Sequence, residues 1–186
     1  MKKRFWAIPL MAIAIACTVL LSACGGPSVE ELIREDIDNA FGEFSSDNPE
    51  FMDAMLESAD GSFEQMGIDP QEFADAYFKG FDHKVKDVVV DEKAGTAEAT
   101  VTVKMKSLSA IMMDFANRFE EYVATLDPST VGSEDELYAQ AGQLLMDAVN
   151  TNEPAETDCV FEYQKDEDGS WSAVEGTEEQ ILNAMQ

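Results

Sequence analysis

The sequence predicts an α+β fold, in which an antiparallel sheet of about four strands packs against helices. Apolar residues recur every three or four positions up to residue 78, and again over residues 107–150. They alternate with polar residues over 96–106 and after residue 158. The order is therefore helices, hairpin, helices, hairpin. An antiparallel sheet with helices on one face is the simplest arrangement that buries both patterns.

The first helix is predicted to begin at Ser28. Ser28 and Glu31 have the spacing of a capping box, in which each side chain accepts a backbone N–H from the other residue. Asn48-Pro49 and Asp69-Pro70 each have the pattern of an N-cap followed by proline at the first helical position. Two shorter helices are therefore expected before the hairpin.

A β-hairpin is predicted over residues 81–106. Residues 81–91 are rich in valine, Lys93-Ala94-Gly95 can form the turn, and residues 96–106 place apolar side chains on one face. In the first strand the apolar phase slips near Asp87, which indicates a β-bulge.

Two longer helices are predicted over 107–126 and 134–150, and a second hairpin follows them. Its first strand alternates around Cys159, Phe161 and Tyr163, and its second holds Trp171 and Val174. A final short helix is expected from Thr177.

The chain is strongly acidic. It has 12 Lys and Arg against 38 Asp and Glu, a formal net charge of −26. This surface excludes nucleic acid as a partner, because phosphate contacts need Lys and Arg. It is also repelled by anionic lipid headgroups. Like charge opposes self-association, so we expect a monomer.

The N-terminus has the layout of a secretory signal. Lys2-Lys3-Arg4 precedes residues 5–21, which are apolar apart from Thr18. The apolar run is slightly long for a signal peptide and slightly short for a membrane span, so an uncleaved signal anchor is the alternative. The basic start places the remainder outside the cytoplasm in either case.

Leu21-Ser22-Ala23-Cys24 resembles the lipobox of bacterial lipoproteins. In that class the cysteine receives a diacylglycerol, which carries palmitate, and becomes the N-terminus after cleavage. The resemblance implies a signal peptide over 1–23, a lipidated Cys24 with a short tether over 24–27, and one extracytoplasmic domain over 28–186. The membrane is then a partner through the lipid on Cys24, since two or three acyl chains hold a protein stably. The alternative is an ordinary cysteine beside a normal cleavage site.

The order of elements, together with the lipobox and Asp168-Gly169-Ser170-Trp171, resembles small lipoproteins of Gram-positive bacteria from uncharacterised families. Their folds are similar to the cystatin-like or nuclear-transport-factor-two-like group, in which a curved sheet wraps around helices. Such folds host enzymes, binding domains and scaffolds, so the fold alone assigns no function.

A binding or envelope-support domain is the favoured function, and not an enzyme. The sequence has no Gly-x-Ser-x-Gly, no phosphate-binding glycine loop and no His-Glu-x-x-His, and no motif indicates a cofactor or a metal. A small-molecule site is the alternative, with an aromatic cluster as its wall. That cluster, which ordinary core packing also explains, comprises Phe73, Tyr77, Phe78 and Phe81.

An enzyme of the isomerase or hydrolase type is the third hypothesis. His83 could act as a base and Cys159 as a nucleophile. Nothing in their spacing brings them together, and Cys159 shares a strand face with aromatic residues, which favours a buried, inert thiol. Once Cys17 leaves with the signal and Cys24 carries lipid, no second cysteine remains for an intrachain disulfide.

The fold group also contains isomerases that use an acid and a tyrosine, and residues 107–126 offer Asp114 and Tyr122. Asp114 points about 120° away from the apolar stripe of its helix. Pairing with Arg118 at i,i+4 on the solvent face is therefore the favoured interpretation.

Two further patterns each have a functional and a structural interpretation. Residues 164–175 partly match a calcium-binding loop, but Gln164 stands at its first position and the flanks alternate like strands, which favours a hairpin turn. Methionines at helical spacing could form an adaptable binding surface or fill the core. They are Met52, Met55, Met66, Met105, Met112, Met113 and Met146.

Overall fold

The chain forms an antiparallel sheet with helices, which confirms the predicted α+β fold. The computed structural model describes residues 16–17 as backbone only, and residues 27–126 and 132–174 in full. The elements in chain order are β1 (Ala16–Cys17), α1 (Val29–Gly42), α2 (Pro49–Ala59), α3 (Ser62–Met66), α4 (Pro70–Phe78), β2 (Asp82–Asp91), β3 (Thr96–Met105), α5 (Leu108–Thr125), α6 (Glu134–Thr151), β4 (Ala155–Lys165) and β5 (Trp171–Ala173). The strand order is β1-β5-β4-β3-β2, with every neighbouring pair antiparallel.

The helix starts follow the predicted capping chemistry. Ser28 and Glu31 form the expected capping box, with the Ser28 N–H donating to Glu31 Oε2 at 2.7 Å. Asn48 and Asp69 each accept two backbone N–H groups at the starts of α2 and α4. α3 is an addition to the predicted elements: with five residues it is too short to show a helical period.

The predicted bulge lies in β2, and its extra residue is Lys86. Val85 stands opposite Val101 and Asp87 opposite Thr100, so that Lys86 has no counterpart on β3. β2 is also the edge strand of the sheet, and Arg34 covers the Val85 carbonyl with a 3.0 Å hydrogen bond. A bulge, lysines and a covered carbonyl are the usual protections of an exposed edge against pairing with other chains.

The core lies between one face of the sheet and the helices. α1 contributes four buried side chains, Val29, Ile33, Ile37 and Phe41. The predicted apolar faces of β3 and β4 are both buried, at Ala97, Ala99, Val101, Val103, Met105, Cys159, Phe161 and Tyr163. The opposite face carries threonines and charged side chains, such as Thr102 and Lys86, which both contact Asp158.

The short strand β1 pairs with β5, Ala16 opposite Ser172 and Cys17 opposite Trp171. The predicted signal peptide, residues 1–23, includes these two residues. Cleavage before Cys24 would remove them and leave the four strands β2 to β5.

Candidate functional site

The four predicted pocket residues form a continuous series of ring contacts. Ring centroids lie 6.3 Å apart between Phe73 and Tyr77, 5.3 Å between Tyr77 and Phe78, and 5.8 Å between Phe78 and Phe81. Tyr77 is buried, and the other three are half-buried against the core. Helix α4 carries Phe73, Tyr77 and Phe78, and Phe81 follows three residues after the helix ends, so that the four side chains form the aromatic cluster that the sequence predicts.

Phe41 of α1 connects this aromatic cluster to the sheet. Its ring lies 6.2 Å from Phe81, 6.0 Å from Phe161 and 4.8 Å from the imidazole of His83. Offset aromatic pairs at these distances stabilise a core beyond the area they bury. Core packing accounts for these contacts, and a small-molecule site at the cluster stays a prediction.

Tyr77 differs from its neighbours because its hydroxyl is buried and has no hydrogen-bond partner among the described residues. Burial raises the pKa of Tyr77 to about 12, since the charged phenolate is poorly solvated there. The Trp171 indole N–H is likewise buried, with no acceptor in the part of the chain that the structure describes. Tyr163 contrasts with both, because its hydroxyl donates to Asp36 at 3.1 Å.

The structure does not bring His83 and Cys159 together. His83 stands opposite Val103 and Cys159 opposite Val101, on strands separated by β3, so two strand spacings and two residues along the strand, roughly 12 Å in all, separate them. His83 Nε2 is 2.9 Å from Asp38 Oδ1. Cys159 is buried, and burial, with Asp158 adding to it, raises the pKa of its thiol.

Asp114 pairs with Arg118 as predicted, at 3.0 Å between Oδ1 and Nε. The pair lies at the border of the solvent face, since each side chain keeps about a third of its surface exposed. Both side chains are half-buried and reach the end of α6, where Arg118 donates to the Thr151 hydroxyl at 3.0 Å. The hydrogen bond from Arg118 holds the pKa of Asp114 below its usual value. The contact with Thr151 was not predicted, because the angle along one helix does not show that α6 packs beside this flank of α5.

The segment after β4 forms the predicted hairpin turn. Asp166 N–H donates to the Ser170 carbonyl at 2.8 Å, and Gly169 has φ = 90°, a conformation that favours glycine. The carboxylates of Asp166 and Asp168 accept the hydroxyl of Ser170, and Asp166 also accepts that of Ser172. These bonds stabilise the turn that connects β4 to β5.

Lys106 is a buried cation that the sequence did not single out. It is 3% exposed, and its ammonium donates to the carbonyls of Ala76 and Val149, both at 2.7 Å. These carbonyls lie in the last turns of α4 and α6, where helix dipoles attract a cation. Burial nevertheless lowers the pKa of Lys106, with Glu153 partly opposing that change. The sequence feature that could have indicated a buried lysine is its position directly after the apolar face of β3.

The methionines divide into two groups. Met105 is buried, Met55, Met66 and Met146 pack partly buried against the core, and Met52 is half-buried on α2. Met112 and Met113 are instead exposed on α5. The core-filler interpretation therefore holds for the first group and leaves the second to be explained.

Cys24 lies outside the described residues. Within the part of the chain that the structure describes, no helix combines the length and apolar character needed to cross a bilayer. Among the same residues, no group of three His, Cys, Asp or Glu side chains is arranged to hold a metal ion.

Comparison with known proteins yields one structural likeness. The chain resembles YcdA of Bacillus subtilis, provisionally classed as a lipoprotein, with a TM-score of 0.40 and 15% sequence identity over 71% of this chain. The match spans 44% of YcdA, less than half of that protein. No protein-family model and no curated protein sequence matches the chain.

Proposed function

We propose that this protein is a lipoprotein, anchored on the outer side of a cell membrane through lipid on Cys24, and that its folded domain binds a partner and is not an enzyme. The main observation that supports this proposal is the sequence Leu21-Ser22-Ala23-Cys24, which follows a basic and then an apolar segment. The capping box at Ser28 starts the folded domain four residues later. On this proposal, only a few residues of sequence separate the lipidated cysteine from the first helix.

The candidate catalytic groups support a non-enzymatic role. A nucleophilic cysteine needs an accessible thiolate with a lowered pKa, and Cys159 is buried with a raised pKa. The carboxylate of Asp114 is engaged by Arg118 and borders α6. His83 stacks on Phe41 and contacts Asp38. Within the described residues, each of these groups has a structural role that accounts for it.

Metabolic labelling with radioactive palmitate in a bacterial host tests the anchor. The protein with its original sequence should carry the label and sediment with the membranes. Cys24→Ala should lose the label and be released from the membrane fraction, because one attachment site holds all the acyl chains. Cys17→Ala is the matched control and should keep both the label and the membrane association.

A Cys24→Ala variant that stays membrane-bound without label would contradict the proposal. It would favour an uncleaved signal anchor over residues 5–21, which the sequence also allows.

A further inference from the structure

We propose that the exposed face of α5 is a docking surface for a basic amphipathic helix of a partner protein. The inference rests on the proposed binding role and names the class of partner. It does not depend on how the domain is anchored.

Other elements bury fewer of the apolar side chains of α5 than its apolar composition would suggest. α1 buries Val29, Ile33, Ile37 and Phe41, whereas α5 buries only Ile111 of its eighteen residues. Three of its large apolar side chains are exposed, Met112 at 45%, Met113 at 67% and Val123 at 44%. Within the described residues, these form the largest group of exposed apolar side chains on one helix.

The exposed residues follow a helical stripe. Met112, Ala116, Phe119 and Val123 are spaced by four, three and four positions, so they lie along one face, and Phe119 is half-buried while the other three are exposed. Spacing of this kind is the pattern by which one helix packs against another. We call these four residues the α5 stripe.

The stripe lies beside other aromatic side chains of α5 itself. Phe119 contacts Phe115 and Tyr122, with ring centroids 5.9 Å and 6.5 Å apart. A second helix could therefore continue an aromatic layer that already exists. Met112 in the stripe and Met113 beside it are flexible and polarisable, and such side chains adapt to partners of different shape.

The negative charge of α5 and α6 indicates which kind of partner helix can bind the α5 stripe. α5 and α6 together contain seven acidic residues, three in α5 and four in α6, and one basic residue, Arg118, which pairs with Asp114. A second copy of this chain would bring the same acidic helices against each other and be repelled, as would an anionic membrane. An apolar helix face flanked by lysine and arginine is the complementary partner.

Binding of a synthetic 18-residue peptide tests the inference. The peptide carries leucine at i, i+3, i+4 and i+7 spacing and lysine elsewhere; a scrambled peptide of the same composition is its control. Fluorescence anisotropy is measured with the full chain, extracted in non-ionic detergent. We expect the amphipathic peptide to bind roughly tenfold more tightly than the scrambled one, because only it aligns an apolar face.

The protein variants locate the surface. Met112→Gln combined with Val123→Gln should weaken binding of the amphipathic peptide roughly tenfold, because both side chains lie in the stripe. Val89→Gln is the matched control, since Val89 is 60% exposed on the outer face of the sheet. This control should bind like the unmodified chain, and circular dichroism should show that both variants are folded.

Equal binding of the two peptides, or unchanged binding by the double variant, would overturn the inference and leave only unspecific attraction to an acidic protein. A dimer in sedimentation that the double variant abolishes would also overturn it, because a second copy would be the occupant. Palmitate labelling reports on the anchor separately, so that peptide binding without label would contradict the anchor alone.

Discussion

At the scale of single residues, the hydroxyl of Tyr77 bears directly on stability. A buried polar group without a partner loses its hydrogen bonds to water on folding and regains none. Such groups are few in native proteins and often mark a strained or ligand-binding position. Tyr77 lies inside the aromatic cluster that the sequence suggests as a pocket wall. Removal of the Tyr77 hydroxyl therefore tests whether this group has no partner in the folded protein or is satisfied by a bound molecule.

We expect Tyr77→Phe to raise the free energy of unfolding at pH 7 by about 1 kcal/mol, because the ring is kept and the unsatisfied hydroxyl is removed. Urea unfolding followed by circular dichroism measures this. Tyr122→Phe, on the half-buried flank of α5, is the control and should change stability little. A loss of stability in Tyr77→Phe would show that the hydroxyl has a partner.

Alkaline pH gives a second readout of the same residue. In the unfolded chain the tyrosine ionises near pH 10, whereas the folded protein keeps Tyr77 protonated up to its pKa of about 12. The folded state therefore binds more protons in this window, and this group lowers the free energy of unfolding by roughly 2 kcal/mol as pH rises from 10 to 12. Tyr77→Phe should lose this part of the pH dependence.

At the scale of elements, the contact between α3 and α6 depends on Gly142. A Cβ atom at this position would overlap the carbonyl oxygen of Met66, which ends α3. The glycine therefore lets the backbones of the two helices approach closely. Gly42, the last residue of α1, has nothing within 4 Å of the corresponding position.

We expect Gly142→Ala to lower the free energy of unfolding by roughly 1–3 kcal/mol, because a backbone atom must move to admit the methyl group. Gly42→Ala is the matched control and should leave stability unchanged or raise it by up to about 1 kcal/mol, since alanine favours helix. Urea unfolding of both variants measures the difference. A neutral Gly142→Ala would mean that α3 packs less closely on α6.

The elements that the sequence predicted are those with local signals. Capping residues such as Ser28 and Asp69 set the starts of α1 and α4, and strict alternation set the buried face of β3. The bulge near Asp87 was also visible, because an extra residue shifts the apolar phase of a strand. These signals are contained within a few neighbouring residues.

The features that the sequence missed depend on distant contacts. α3 is too short to show periodicity, and its packing relies on Gly142, far away in the chain. The hydrogen bonds that Thr151 and Asn152 donate to Asp114 were not predicted, because they come from the end of α6. The sequence shows Lys106 only as a charged residue after a strand. Its burial could not be predicted, because its two acceptors come from α4 and α6.

At the scale of the whole molecule, Lys106 joins three parts of the fold. It follows β3 directly, precedes the N-cap of α5, and donates to the final turns of α4 and α6. One ammonium group therefore satisfies carbonyls of two helices that would otherwise be buried without donors. Removal of one partner from a buried polar group exposes the full cost of desolvating the other.

We expect Lys106→Met to lower the free energy of unfolding by about 2–4 kcal/mol, because both carbonyls lose their donor while the apolar stem is kept. Lys104→Met is the matched control, since Lys104 lies on the outer face of β3, and it should change stability by less than about 0.5 kcal/mol. Urea unfolding measures both variants. Equal stabilities would contradict a structural role for the Lys106 ammonium.

The early start of α1 sets how far the protein can extend from a membrane. The helix begins at Val29, and its N-cap Ser28 stands four residues after Cys24. Four extended residues span at most about 14 Å. On the proposed anchoring by lipid at Cys24, the start of α1 would therefore be the membrane-proximal end of the domain, and a partner that docks there would meet it close to the bilayer surface.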